Sequence, residues 1–254
     1  MCVCYLCSFT VCIIYYSYLF KAKTKAPMTD GAYTLGYWNI RGLAAPIRLA
    51  FALAGKPLNE DEYTCELVDD KWVNNWSDIY KEMQSSNSHP FPNLPYLKFP
   101  DGKTTIVQSN AIMRHIGREF KLYGDDAITM ARVDEVLERV NDMRMEATKN
   151  YYATAISKDF VEEVLPYYFS TLEKYLEKHN TRFFCCDTPT IADCAAYEAL
   201  RTALPLVPHF AEEFKRINEI IKRFESLPQL EKYFTSREHK FPANNRMASF
   251  GGSN

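Results

Sequence analysis

From Tyr33 to Trp38 apolar and polar side chains alternate, the period of a half-buried strand, and Arg41-Gly42 breaks it. A helix follows from near Pro46, a residue suited to a first helical turn. Ile47, Leu49, Ala50, Phe51, Leu53 and Ala54 make it apolar, and Gly55 is placed to end it. Glu62 to Cys65 reads as a second short strand, and Asp69 to His89 shows no assignable period. Tyr96–Phe99 and Thr104–Val107, joined by Pro100-Asp101-Gly102, form a hairpin. Ser109 is then expected to cap a helix reaching about Phe120.

After Tyr123-Gly124 the period becomes helical. Met130, Val133, Val136, Leu137, Val140 and Met143 share one face. Phe160, Val164, Tyr167, Tyr168, Leu172, Tyr175 and Leu176 make a second stripe, and Phe210, Phe214, Ile217, Ile221 and Phe224 another. Thr190 and Asp193 have the spacing of a capping box ahead of an apolar run. The order implies an α/β thioredoxin-like N-terminal domain over 32–122 and an all-α C-terminal helical domain over 127–236. Residues 237–254 form a tail, and 1–31 an uncharged leader with a basic tether.

That leader, Met1–Phe20, carries no charge, and Lys21, Lys23 and Lys25 follow it, the reverse of a signal peptide. It has roughly the ~20 residues of a membrane span, yet Ser8, Thr10, Ser17 and several tyrosines dilute it. Two readings stay open: an appendage ahead of a body starting near Met28, or an anchor whose lysines keep the body cytosolic. The net charge of −2 gives no reason to expect nucleic acid as a partner. Cys4 and Cys7 form a lone C-x-x-C without a second pair or histidines, so no metal site is predicted. The other cysteines read as reduced thiols.

Two segments carry a resemblance. Leu35-Gly36-Tyr37-Trp38-Asn39-Ile40-Arg41-Gly42-Leu43 is similar to the first strand and loop of mu-class glutathione transferases. Phe91-Pro92-Asn93-Leu94-Pro95-Tyr96-Leu97, with Gln108-Ser109-Asn110-Ala111-Ile112, resembles that family's glutathione-binding core. The likeness runs in order over about 33–236.

The chemistry fits these residue types. A glutathione thiol with a pKa of about 8.5 is mostly protonated at neutral pH, yet the thiolate is the nucleophile. A tyrosine hydroxyl donating to the sulfur in a partly desolvated site favours the anion. Tyr37 holds that position. A redox enzyme would need a cysteine there and none is present. Ser109 at a helix N-terminus, beside Gln108, offers donors to the γ-glutamyl carboxylate.

The resemblance further implies a cis bond between Leu94 and Pro95, with the Leu94 backbone pairing with the cysteinyl residue of glutathione next to Asn93. It implies contacts from Trp38 and Leu43, and a Trp and a Lys for the glycine carboxylate. Trp76 with Lys81 is preferred, Trp72 being the other candidate. Asp142 reaches the glutathione of the neighbouring subunit. Ile40, Leu43 and Tyr152 line the electrophile pocket, with Tyr151 the alternative after a one-residue slip. Phe91, Arg114 and Asp134 stand at a homodimer interface.

The expected activity is conjugation of glutathione, a co-substrate with no further cofactor, to hydrophobic electrophiles in the cytoplasm. Membrane contact is expected only if the leader is an anchor. The competing class is a non-catalytic module that keeps the fold and binds hydrophobic ligands or a protein partner.

Overall fold

The computed structural model describes residues 31–86 and 89–252. The leader readings fall outside them. Residues Gly31–Asn254 form one compact unit.

Strand β1 (Tyr33–Trp38) runs through the middle of a four-stranded sheet, flanked in order by β2 (Leu58–Tyr63) on one side and β5 (Tyr96–Lys98) and β6 (Thr105–Val107) on the other. It is parallel to β2 and antiparallel to β5. Gly36 is required within β1. A Cβ there would lie 2.0 Å from Cζ of Tyr96, whose ring crosses the strand. Helix α1 (Ala45–Leu53) connects β1 to β2 and ends in a left-handed Gly55. The N–H groups of Gly55 and Lys56 return to the carbonyls of Ala52 and Phe51, the two bonds of a Schellman stop.

The second strand lies earlier than the Glu62–Cys65 expected from the pattern. Leu58-Asn59-Glu60-Asp61-Glu62-Tyr63 is too polar for an alternation criterion to select, and its carboxylates are neutralised by distant residues. Arg48 grips Glu60 with two bonds of 2.9 and 2.7 Å, Lys98 and the Tyr96 hydroxyl meet Asp61, and Arg237 meets Glu62. The unassigned stretch folds as well. Asp69 and Asp70, both at positive φ, turn β3 (Cys65–Val68) into β4 (Lys71–Asn74), which leads to helix α2 (Trp76–Ser85). Asn74 Oδ1 accepts the N–H groups of Trp76 and Ser77 at the start of that helix.

Helix α3 (Ser109–Glu119) begins one residue earlier than expected. Gln108 occupies the cap position at φ +74°, and Ser109 is the first helical residue. Its side chain bonds to no described residue, because the cap conformation has moved to Gln108.

The remainder is helical: α4 (Ala127–Tyr151), a π-helical turn at Phe160–Val164, α5 (Leu165–His179), α6 (Ile191–Ala203), the single turn α7 (Phe210–Glu213), α8 (Lys215–Glu225) and α9 (Glu231–Thr235). The predicted stripes are buried in the main. Met130 and Tyr167 depart from them, lying 38% and 57% exposed. Tyr167 instead packs against the Arg139 guanidinium, 4.7 Å from its ring centre.

Helix α6 joins the two halves, packing on α1 and α3 of the sheet half and on α4 and α8 of the helical half. Its first turn is locked by the capping box. Asp193 Oδ2 accepts the Thr190 N–H and hydroxyl at 2.7 and 2.9 Å, and Oδ1 accepts the Phe184 N–H at 2.9 Å. Burial nevertheless raises the Asp193 pKa to about 6. Asp193→Ala strands buried donors and removes the cap, so it should destabilise the protein by about 2–4 kcal/mol. The urea midpoint of the variant against wild type measures this.

Candidate active site

Between the sheet half and α4 lies a cavity of about 310 Å³. Apolar side chains dominate its wall, among them Ile40, Leu43, Met113, Leu137, Val140 and Met143. Tyr37, Ser109, Tyr151 and Tyr152 also face it. Of the residues singled out from sequence, the fold therefore gathers Tyr37, Ile40, Leu43, Ser109 and Tyr152 around one cavity. Both tyrosines left open at the end of α4 reach it.

Tyr37 is set by its strand and by the loop that follows. Its hydroxyl accepts the Leu43 N–H at 3.0 Å, an approach that Gly42 permits. A Cβ on Gly42 would stand 2.6 Å from the same oxygen, and its φ is +38°. The hydroxyl proton has no acceptor among the described residues. Burial pushes the Tyr37 pKa up to about 12, opposed by the Leu43 N–H and the Arg144 charge. The group is thus a neutral phenol with one lone pair engaged and its proton free to donate.

The loop 39–43 is held on every side. Asn39 N–H donates to the Tyr63 carbonyl at 2.8 Å, Arg41 N–H to Pro242 at 2.8 Å and Gly42 N–H to Ala243 at 3.0 Å. Arg48 Nη1 donates to the Ile40 carbonyl at 2.8 Å. The Arg41 side chain reaches α6, with Nη2 donating to Thr202 at 3.3 Å. Its Nε stands 3.1 Å from Glu198 Oε1, close but not aligned for a hydrogen bond. The segment after α9, treated above as a tail, is therefore part of the site, and Ala243 and Asn244 line the cavity. Tyr152 accepts the Asn245 N–H at 3.3 Å, and Ser249 donates to the Tyr151 carbonyl at 2.8 Å.

The other candidates lie away from the cavity wall. The Leu94–Pro95 bond is cis, and the Leu94 N–H donates to Asn93 Oδ1 at 2.8 Å. Gln108, at the head of α3, is exposed in a backbone conformation that non-glycine residues rarely adopt. Trp38 and Trp76 both meet the ring of Tyr63, at 6.4 and 5.1 Å between centres. Trp72 sits 41% exposed on the β3–β4 hairpin, which separates the two candidate tryptophans. Lys81 points into solvent on α2 beside Asp78, 3.6 Å away, and no contact links it to Trp76. Asp142 is exposed on α4. Phe91 is 60% exposed, its ring against that of His89. Arg114 and Asp134 pair with each other within the chain at 2.6 Å.

Sequence reasoning missed Asn110, Met113, Arg144, Glu198, Thr202, Ala243 and Asn244 on the cavity wall. A signal existed for one of them. Leu137, Asn141, Arg144 and Thr148 run along α4 at helical spacing, beside the apolar stripe.

Comparison with known proteins agrees with this architecture. Residues 33–118 match the family described as Glutathione S-transferase, N-terminal domain, and residues 141–237 match Glutathione S-transferase, C-terminal domain. The chain is 33% identical over 221 residues to Glutathione S-transferase Mu 5 of Rattus norvegicus, covering 85% of this chain and 94% of that protein. It is 33% identical over 226 residues to Glutathione S-transferase Mu 3 of Homo sapiens, covering 87% and 96%. A solved Pi-class glutathione S-transferase of Onchocerca volvulus superposes with a TM-score of 0.72 at 27% identity, covering 86% of this chain and all of that one. The fold is that of a two-domain transferase scaffold. The chain belongs to the glutathione S-transferase family, and the relatives named by sequence are of the mu class.

With burial holding Tyr37 near pKa 12, its hydroxyl should remain a donor across the whole neutral and mildly alkaline range. An ultraviolet difference titration, wild type minus Tyr37→Phe, should show no phenolate signal from this residue below about pH 11. A midpoint at or below the ordinary tyrosine value would mean that water reaches the hydroxyl.

Proposed function

We propose that this protein conjugates glutathione to hydrophobic electrophiles, with the Tyr37 hydroxyl stabilising the bound thiolate. The observation that carries the reading is the state of that hydroxyl: buried, protonated, accepting from Leu43 and donating to none of the described residues, at the edge of an apolar cavity. A thiolate at this point would take up the free proton as a charge-assisted hydrogen bond.

Glutathione would lie along the sheet side of Tyr37. Leu94 and Asn93 would face its cysteinyl residue, and Gln108 and Ser109 its γ-glutamyl carboxylate, at the head of α3. Trp38 and Trp76 with Lys81 would take the glycine end, and Asp142 would come from a neighbouring subunit. The Ser109 side chain, bonded to none of the described residues, supports its part, and the Tyr63 ring shared by Trp38 and Trp76 supports theirs. Lys81 would have to leave Asp78. The electrophile would occupy the cavity against Ile40, Leu43 and Tyr152. Glutathione is a co-substrate in this scheme and no other cofactor enters it. The cytoplasm is the proposed compartment. Among the described residues no helix is long and apolar enough to cross a membrane.

Tyr37→Phe removes one hydroxyl and keeps the ring. A hydrogen bond to a charged acceptor is worth about 1.5–3 kcal/mol, or roughly one to two pKa units of the bound thiol. Turnover of a chromogenic aryl halide near neutral pH should fall about ten- to hundredfold and recover as pH approaches that of the free thiol. Retention on immobilised glutathione should change little. Equal turnover and an unmoved thiolate absorbance titration would remove Tyr37 from the role. Retention of the wild type without turnover would favour a non-catalytic binding module.

We also propose a homodimer in which the exposed Phe91 inserts into the partner's helical half, near Arg114 and Asp134. A buried aromatic anchor contributes ~2 kcal/mol or more. Light scattering at micromolar concentration should give a dimer for the wild type and a shift toward monomer for Phe91→Ala. A monomeric wild type would refute the arrangement.

A further inference from the structure

A second cavity, of about 310 Å³, opens in the helical half and shares no lining residue with the one beside Tyr37. It lies between α8 and the loop that leaves α5. Arg216, Glu219, Ile220 and Arg223 stand three and four residues apart, so a single face of α8 forms one wall. Arg182 and Asp187 line it from the loop.

Three guanidinium groups gathered around one cavity repel each other, and their own partners do little to offset that. Arg216 Nη2 donates to the Asn180 side-chain oxygen, and Arg223 Nη1 donates to the Arg182 backbone carbonyl. Both acceptors are neutral. The Arg182 side chain bonds to none of the described residues. Two carboxylates share the cavity. Asp187 Oδ1 accepts the Arg182 backbone N–H at 3.0 Å, and Glu219 Oε2 stands 3.9 Å from Arg216 Nη1, a distant ion pair. The lining therefore carries an excess of positive charge. The N–H groups of Arg216 and Ile217 at the head of α8 are taken by Glu173, so the helix end has no part in this.

We infer that this cavity is a binding site for the phosphate group of a small soluble phosphomonoester. A phosphate head offers three acceptor oxygens, enough for three guanidinium groups at once, whereas the two oxygens of a carboxylate are satisfied by one fork. The bonds to Asn180 and to the Arg182 carbonyl hold two of the guanidinium groups in place beforehand, so less side-chain freedom is lost when the anion arrives. At about 30 Å³ for each water-sized group, the cavity exceeds what one phosphate fills. The remainder takes a carbon skeleton against Ile220. Glu219, at the exposed edge, opposes the anion and holds the affinity down. The site uses no residue of the Tyr37 cavity and stands whether or not the transferase reading does.

The test is calorimetric titration of the full chain with adenosine monophosphate, with adenosine as the neutral control. The monophosphate should bind with a Kd of about 1 mM or tighter, and adenosine should not bind at the same concentration. Added salt should weaken the binding. Arg182→Gln should weaken it about tenfold, while Glu219→Gln should tighten it severalfold. A damaged fold cannot tighten binding, so the second variant keeps the first interpretable. Saturating S-hexylglutathione should leave the titration unchanged. No binding of the monophosphate at millimolar concentration overturns the inference, as does equal binding of adenosine or an equal Kd in both variants. Displacement by S-hexylglutathione also overturns it, by placing the anion beside Tyr37. Retention on vesicles of phosphatidylcholine and phosphatidic acid, without binding of the monophosphate, overturns it in favour of a lipid headgroup.

Discussion

The site depends on one short contact, the Leu43 N–H given to the Tyr37 hydroxyl. A phenol can both donate and accept, and fixing what it accepts leaves its proton a single remaining direction. The contact needs the chain to reverse within the few residues after β1 and to pass so close to the ring that only a glycine fits at position 42. Ordering such a loop costs on the order of 1–2 kcal/mol per residue, while one net hydrogen bond returns about 1 kcal/mol. The loop is therefore held by the set of bonds from Tyr63, Arg48, Glu198, Thr202, Pro242 and Ala243 rather than by any one of them.

Where the chain solves a local problem, the sequence was readable. The Gly55 helix stop and the Thr190/Asp193 cap each involve neighbours in sequence, and residue type dictates them, while β1 falls where expected but is buried along its middle instead of alternating. The helical stripes were readable because a buried face needs apolar groups at a fixed period. Met130 and Tyr167 fit that period by spacing while lying exposed, since periodicity marks a face and does not say where the face ends. Tyr37 and Ser109 were reachable through the two motifs, and Tyr152 only through what the resemblance implied at the end of α4.

What stayed hidden was settled by partners far along the chain. β2 is a row of carboxylates that becomes a strand because Arg48, Lys98 and Arg237 arrive to neutralise it. The β3–β4 hairpin and α2 bury little apolar surface, so there was no stripe to detect. Gln108 took the cap position from Ser109 through a strained backbone that no composition rule anticipates. Arg144 looked like one more charge on a long helix. That it faces the cavity is a property of packed space alone.

The bonds from Arg41 and Gly42 to Pro242 and Ala243 join the first loop of the described chain to its last segment. Translation makes the first of these pieces long before the second. While the ribosome is still adding residues, the sheet and most helices can pair with neighbours already made, but the loop beneath Tyr37 waits for partners not yet synthesised. The nascent protein can thus be largely structured and still lack a finished centre, which closes only once residues 242–249 have emerged.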